Sequence, residues 1–407
     1  MRKPVLTLFY QFNPWQSSIG GIQSVIKYFI KYAPDEFRVR LVGTGKPGSS
    51  IGTWQSANYA DKEIDFMPLI AIENDDVRGL IPTSVKYTTA LLGRNLASDF
   101  MHFHRLEPMI TALNWSGEKT LFVHNDIQKQ ISDSHKNAIL WKYFPAGYFA
   151  VENMAFKKCS QIYVVNIESF KFYQQRYSEI ADRIKYITNA VDLDFFNPLT
   201  SQQKQEKRKH FAKQQGLSEN TQFILFAGRL HPQKDPILLI RSFAALKTDN
   251  VHLLIAGNGE LAEEVQTEID SLGLSQQVTM LGSVDRQKLA TLYRISSAFI
   301  LTSIYEGLPL AVLEALACGI PIVTTKAGDT PNFLTANSGV VTHDRTPEAI
   351  ANAIQKILAQ PQNYSREACI RVAQPYAART IVENVFEQMW QHWSQQNSSL
   401  SVSMTQT

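Results

Sequence analysis

Cysteine is scarce in this chain. Cys159, Cys318 and Cys369 stand far apart among 407 residues, and none belongs to a CxxC pair. Neither a disulfide framework nor a zinc site is implied, and a reducing cytoplasm is the simplest home. Long apolar runs are lacking too: nothing reaches the roughly eighteen residues of a membrane span, so no transmembrane helix is expected. The N-terminal VLTLFY follows Arg2 and Lys3 but is too short for a secretory core, and reads instead as a first strand. Charge of one sign is also missing. The 40 Lys and Arg nearly balance the 37 Asp and Glu, for a net charge of +3. With no long basic tract interleaved with aromatics, no nucleic-acid partner is expected.

What is present is a repeated alternation of apolar strands and helices. VLTLFY, the loop with Gly20 and Gly21, the helical IQSVIKYFIKYA and the strand-like VRLVG make a βαβ opening. TLFVHND and QIYVVN supply further strands. The rhythm restarts with FILFAG and continues through VHLLIAG, VTMLG, AFILTS and PIVTT, each separated by a helical segment. Such a pattern predicts parallel sheets covered on both faces. The fold class is therefore α/β, with two doubly wound Rossmann-like domains over residues 1–195 and 196–375. A C-terminal helix is expected over 376–395, and a disordered tail over 396–407.

EGLPLAVLEALACGIPIVTT is the most informative stretch. Pro309 suits the first helical position, where its missing N–H costs nothing. The free amides of Leu310 and Ala311, with the positive end of the helix, would then face an anion. Glu314 lies roughly 7–8 Å further along the axis at about 1.5 Å per residue, the reach from a diphosphate to a ribose. Glu306 lies on the other side, where a sugar joined to that diphosphate would be. In FAGRLHPQKDP, Arg229 and Lys234 stand just beyond a buried strand and can grip a diphosphate from two directions. Gly20 and Gly21 would let backbone amides approach phosphate. His124 ends the strand TLFVH, with Asn125 and Asp126 placed to cap the next segment.

Other features carry less. Gly257, Gly259 and Ala262 have the GxGxxA spacing of a dinucleotide fingerprint, but the next strand does not end in an acid. Asp192 and Asp194 form a DxD in the expected hinge rather than at a sheet edge. His102 and His104 share one face of a strand, with no third ligand at zincin spacing. Trp141, Tyr143, Phe144, Tyr148 and Phe149 with Lys142, Lys157 and Lys158 form an aromatic and basic region. Core packing explains most such clusters, and an acceptor groove or membrane contact explains the remainder. The basic run QQKQEKRKHFAKQQ reads as a solvated helix face.

On GGIQS, VHND, TNAVD, FAGRLHPQKDP, LLIAGNGE, LGSVDRQKLATLY and EGLPLAVLEALACGIPIV, the chain resembles a retaining glycosyltransferase of the GT-B fold, most like glycosyltransferase family four (group 1). The resemblance covers most of residues 15–375 and is densest from 222 to 340. It implies two Rossmann-like domains facing across a cleft, an acceptor-binding N-terminal one and a donor-binding C-terminal one. By it, Arg229 and Lys234 hold the donor diphosphate, Glu306 the sugar hydroxyls and Glu314 the ribose. Gly20, Gly21, Gly228, Gly307, Leu308 and Leu310 complete the donor cradle, His124 sits beside the transferred sugar, and Val284 meets the base, with Asp285 or Arg286 near it. The chain departs from the pattern at Ala190, Asn166, Asp235 and Asn332, which bears on loop geometry.

The implied reaction is transfer of a hexosyl group from a nucleoside diphosphate sugar, UDP favoured over GDP, to a hydroxyl of a glycan, lipid-linked or small-molecule acceptor. No metal and no cofactor are expected. The location implied is cytoplasmic, with peripheral contact at the membrane face left open. Two alternatives stand beside it: a nucleotide-sugar epimerase of the same fold, and a non-catalytic nucleotide-sugar-binding protein. A phosphorylase of this fold would need a lysine-bound pyridoxal phosphate, which no motif supports.

Overall fold

A computed structural model describes residues 2–16, 20–73, 81–124, 145–246, 248 and 250–404. The chain divides into two compact units, one of residues 1–188 with 379–407, the other of residues 189–378. The first is built on β1 (Val5–Phe9), β2 (Arg38–Gly45), β3 (Gln55–Tyr59), β4 (Lys62–Ala71), β5 (Phe100–Phe103), β6 (Glu118–Val123), β7 (Gln161–Val164) and β8 (Ile184–Tyr186). These lie side by side in the order β3-β4-β2-β1-β5-β6-β7-β8. All neighbours run parallel except β3 and β4, which form an antiparallel edge hairpin. Its two-residue turn holds Ala60 and Asp61 at φ 55° and 63°, the left-handed pair such a turn demands. This pair is antiparallel within an otherwise parallel sheet because so short a link cannot make a parallel crossover.

The second unit carries β9 (Gln222–Ala227), β10 (Val251–Ala256), β11 (Val278–Gly282), β12 (Ala298–Leu301), β13 (Ile322–Thr325) and β14 (Gly339–Thr342). Their order is β11-β10-β9-β12-β13-β14, parallel throughout. β9 shows why so apolar a strand belongs here. Phe223, Leu225 and Ala227 join one core layer with Val312 and Leu313, while Ile224 and Phe226 join the opposite layer with Leu239 and Phe243. Burying each such side chain stabilises the fold by about 1.5–3 kcal/mol. In both sheets the strand order reverses beside the first strand, between β1 and β5 and between β9 and β12, and open α/β sheets bind ligands at such points.

The C-terminal segment differs from its expectation. One helix runs Ala378–Met404 and, from Arg379 on, belongs to the N-terminal unit. Phe386 packs edge-on to Phe37 at 4.8 Å, and the Arg2 guanidinium lies 4.6 Å from the Trp393 ring. Residues 396–404, expected to be disordered, continue this helix. Gln396 bonds Glu118 at 3.1 Å and Asn397 bonds the Trp393 carbonyl at 2.8 Å. Extending an established helix costs far less than starting one. Residues 405–407 lie outside the described residues.

Candidate active site

The site is assembled from loops that leave the sheet at the β9–β12 switch point. After β9 the chain turns at Gly228, whose N–H donates to the Ala256 carbonyl at 3.0 Å. The loop after β10 presses against this turn. A Cβ on Gly257 (φ 148°) would fall 1.9 Å from the Gly228 carbonyl oxygen, and one on Gly259 would fall 2.3 Å from that of Leu230. The GxGxxA spacing thus serves close packing of two neighbouring loops. Arg229 is exposed, and among the described residues its guanidinium makes no hydrogen bond or ion pair.

Past Arg229, His231 caps the turn Pro232–Lys234, and Asp235 adopts φ 46°, ψ 61°. This left-handed position is the one at which glycine often stands in the resembled family. Asp235 tolerates it by capping the Pro236–Ala244 helix through a 3.2 Å bond from the Leu238 amide. Its other oxygen takes Arg345 at 2.6 Å. Arg345 also donates to the Ser303 carbonyl at 2.5 Å, so one guanidinium ties the β9 loop to the β12 loop. Thr302 hydroxyl bonds to the Lys234 and Asp235 carbonyls, at 2.9 and 3.0 Å, complete the knot.

Within that frame Lys234 Nζ meets Glu306 Oε1 at 2.5 Å, and the Ser303 hydroxyl donates to the same carboxylate oxygen. The Lys234 and Glu306 side chains are only 20% and 7% exposed. A charge pair so enclosed loses much if one member is removed, because the other is left buried and unmatched. Gly307 is held from behind: its carbonyl accepts the Asp329 amide at 3.1 Å, and Gly328 (φ 64°) has no room there for a Cβ.

The following helix spans Leu310–Ala317, with Pro309 as its cap rather than its first residue. The ring carries no N–H, so Pro309 caps through its carbonyl, which accepts the Val312 amide at 3.1 Å. The Leu310 and Ala311 amides precede any intrahelical partner and have none among the described residues, which leaves them open to an anion. Leu308 is buried in the core, so only its backbone faces outward, and Asn189 donates to its carbonyl at 2.7 Å. On the helix, Glu314 accepts the buried Tyr293 hydroxyl at 3.1 Å. It is partly exposed, yet burial pushes its carboxyl up to about 7, a rise that the Tyr293 bond and Arg286 only partly offset. Val284 packs at the margin of this core. Arg286 pairs with the fully buried Asp192 at 3.3 Å and lies over Phe195 at 4.2 Å. Asp285 caps the Arg286–Ile295 helix through the Lys288 amide at 2.7 Å. The DxD acid Asp192 is therefore a structural anchor of the hinge segment.

The N-terminal unit places its own candidates at its own switch point. Gly20 caps the Gly21–Lys31 helix after β1. His104 follows β5 and His124 follows β6, stacked at 5.2 Å with a 2.9 Å bond between His104 Nδ1 and His124 Nε2. Burial drives the His124 pKa down to about 3, so both rings are neutral at ordinary pH. His102 lies edge-on to Phe29 at 5.0 Å, deeper in the same layer. Asn166 caps its helix through the Ser169 amide at 2.9 Å, as the serine it replaces could. Asn125, Asp126, Trp141, Lys142, Tyr143 and Phe144 lie outside the described residues, while Tyr148 and Phe149 pack on the core.

Arg229, Lys234, Glu306, Gly307, the Leu310 amide and Glu314 thus all stand in one unit, whereas Gly20, Gly21 and His124 stand in the other. The sequence reading missed Ser303, Thr302, Tyr293 and Arg345. The first two, at the end of a buried strand, were the only ones with a positional signal.

Residues 207–374 match the glycosyl transferases group 1 family. A D-inositol 3-phosphate glycosyltransferase of Mycolicibacterium smegmatis is 32% identical over 206 residues, which cover 49% of this chain and 45% of that protein. The chain thus spans less than half the length of this curated relative. Among solved structures, sucrose-phosphate synthase from Thermosynechococcus elongatus superposes with a TM-score of 0.74 at 17% identity, over 96% of this chain and 100% of that one. The Anabaena protein HepE in complex with UDP-glucose superposes at 0.66 and 18% identity, over 95% and 100%.

Proposed function

Residues 207–374 form a glycosyl transferases group 1 region within a GT-B fold, and from this premise we propose that the protein is a retaining hexosyltransferase. It takes a nucleoside diphosphate sugar, UDP in preference to GDP, and delivers the sugar to a hydroxyl of a glycan, lipid-linked or small-molecule acceptor. The observation that carries the reading is the free Arg229 beside the enclosed Lys234–Glu306 pair at the switch point. The preference for UDP rests on the HepE structures solved with UDP and with UDP-glucose.

As the glycosidic bond stretches, negative charge gathers on the leaving diphosphate. Arg229, Lys234 and the Leu310 and Ala311 amides stabilise it in place of a metal ion. When phosphate draws Lys234, Glu306 retains Ser303 and gains freedom to accept a sugar hydroxyl. The acceptor hydroxyl attacks the anomeric carbon from the side the diphosphate leaves, and passes its proton to a phosphate oxygen. The configuration is retained without a protein nucleophile. Glu314 accepts from the ribose hydroxyls, and the neutral His124, held by His104, exchanges a hydrogen bond with a sugar hydroxyl. Incubation with UDP- and GDP-sugars, with and without acceptor candidates and with EDTA, tests this reading. Acceptor-dependent nucleotide release that survives EDTA is expected. Release without transfer, or a freed sugar of altered configuration, would favour the epimerase alternative.

A further inference from the structure

A cavity of about 450 Å³ opens in the C-terminal unit at the opposite ends of the strands, beside Gln222, Ser297 and Pro321 where β9, β12 and β13 begin. Four cations line it, Lys204, Arg208, Arg294 and Arg366, against a single carboxylate, Glu367. That carboxylate already takes Arg366 Nε at 3.1 Å. The remaining bonds of the cluster go to neutral groups. Lys204 donates to the Ser296 carbonyl at 2.7 Å, Arg294 to those of Phe195 and Asn197 at 2.6 and 2.8 Å, and Arg366 to that of Leu199 at 2.9 Å. Carbonyls orient these side chains but do not neutralise them. Arg208 Nε is buried and has no partner among the described residues. The turn also makes room for the cluster: Gly319, at φ 77°, lies where a Cβ would be 2.3 Å from Arg366 Cγ. Burial, with Arg208 nearby, pushes the Lys204 ammonium down to about 8.

We propose that this cavity is an anion site, separate from the donor loops, that binds a phosphate dianion. Guanidinium forks match phosphate oxygens in pairs, and the buried Arg208 N–H supplies a donor left unused among the described residues. The volume exceeds that of a bare phosphate, so a phosphomonoester with an organic stem fits the same chemistry. Its source is either a soluble phosphorylated molecule or a lipid headgroup.

The test uses the full chain and inorganic phosphate, with chloride at matched ionic strength as reference, read as thermal stabilisation across a titration. Arg229→Ala separates this site from the donor loops. Phosphate should stabilise the wild type and Arg229→Ala alike, whereas Arg208→Ala and Arg366→Gln should weaken the apparent affinity by about tenfold or more, a change of about 1.4 kcal/mol. Arg366 is 42% exposed, so its variant keeps the test valid if Arg208→Ala fails to fold. An unchanged response in Arg366→Gln, or its loss in Arg229→Ala, overturns the proposal. A hexose 6-phosphate and phosphatidylcholine vesicles containing phosphatidic acid then separate the sources. Vesicle binding lost in Arg366→Gln assigns a headgroup, and hexose phosphate binding without it assigns a soluble ligand.

Discussion

The two units share a parallel sheet with a reversal of strand order, yet they place opposite chemistry there. At the β9–β12 reversal stand Arg229, Lys234 and Glu306, braced by Arg345. At the β1–β5 reversal and beside it stand a glycine cap and two stacked imidazoles that burial keeps neutral. The first arrangement concentrates fixed charge where an anionic donor would be held. The second offers hydrogen bonds without charge, which suits a hydroxyl. One architecture thus carries two chemistries, and the difference lies in a few side chains at strand ends.

Removing the charges should break the comparison most visibly. Arg229→Ala and Lys234→Ala are expected to lower turnover by about a hundredfold to a thousandfold, the scale of losing a preorganised charge stabiliser. Arg229→Ala should leave the melting temperature nearly unchanged, because the exposed guanidinium makes no bond among the described residues. Near-normal transfer by either variant would sink the donor-side assignment. Arg345→Ala should act through position alone. It frees the β12 loop from Asp235 and from the Ser303 carbonyl, costs about 1–3 kcal/mol of stability, and lowers kcat more than it raises KM. Unaltered stability and kinetics would show that the clamp is redundant.

Glu314→Gln sharpens the comparison within the charged unit. It should weaken nucleotide binding by about tenfold, the loss of a charge-assisted bond, and leave the sugar step less affected. The pH signature follows from the raised carboxyl. Because the folded state holds this proton up to about 7, its contribution to stability is present below the usual glutamate range and declines as pH rises through about 7. Wild-type nucleotide affinity should climb over the same interval as the carboxylate forms. Calorimetric titration from pH 5.5 to 8.5 should show both trends in the wild type and neither in the variant. The smallest expected effect is in the neutral unit. His124→Asn should reduce turnover several-fold, on the order of a lost neutral hydrogen bond, and the wild-type kcat profile should carry no inflection near 6.5, since His124 stays uncharged well below that pH. An inflection abolished by the substitution would show that His124 works as a charged group.

Much of this was legible in the chain. The alternation of apolar strands with helices of ten or so residues specified two doubly wound sheets, because a strand buried on both faces has no polar positions to spare. The spacing of Arg229, Lys234, Glu306 and Glu314 marked one site, since motifs after successive parallel strands must emerge at the same end of a sheet. What was illegible depended on distant partners. Arg345 follows β14 in an ordinary polar stretch, and nothing local says that it reaches Asp235. Nothing near Arg286 in the chain says that it pairs with Asp192, far earlier in the sequence. The end of the chain looked disordered, whereas the helix that reaches it is held just before by Gln396 on Glu118 and Trp393 on Arg2.

By itself, then, the amino-acid order determined the architecture and the residue types that cluster at the β9–β12 switch point, for the physical reason that periodicity and turn chemistry act over short spans of chain. Only the tertiary structure decided which charges pair. It set Lys234 against Glu306, gave Tyr293 to Glu314, closed Gly257 and Gly259 onto the neighbouring loop, and gathered four cations at the opposite strand ends. Charge and burial take their value from whatever the fold brings within a few ångströms, and no local pattern encodes that distance.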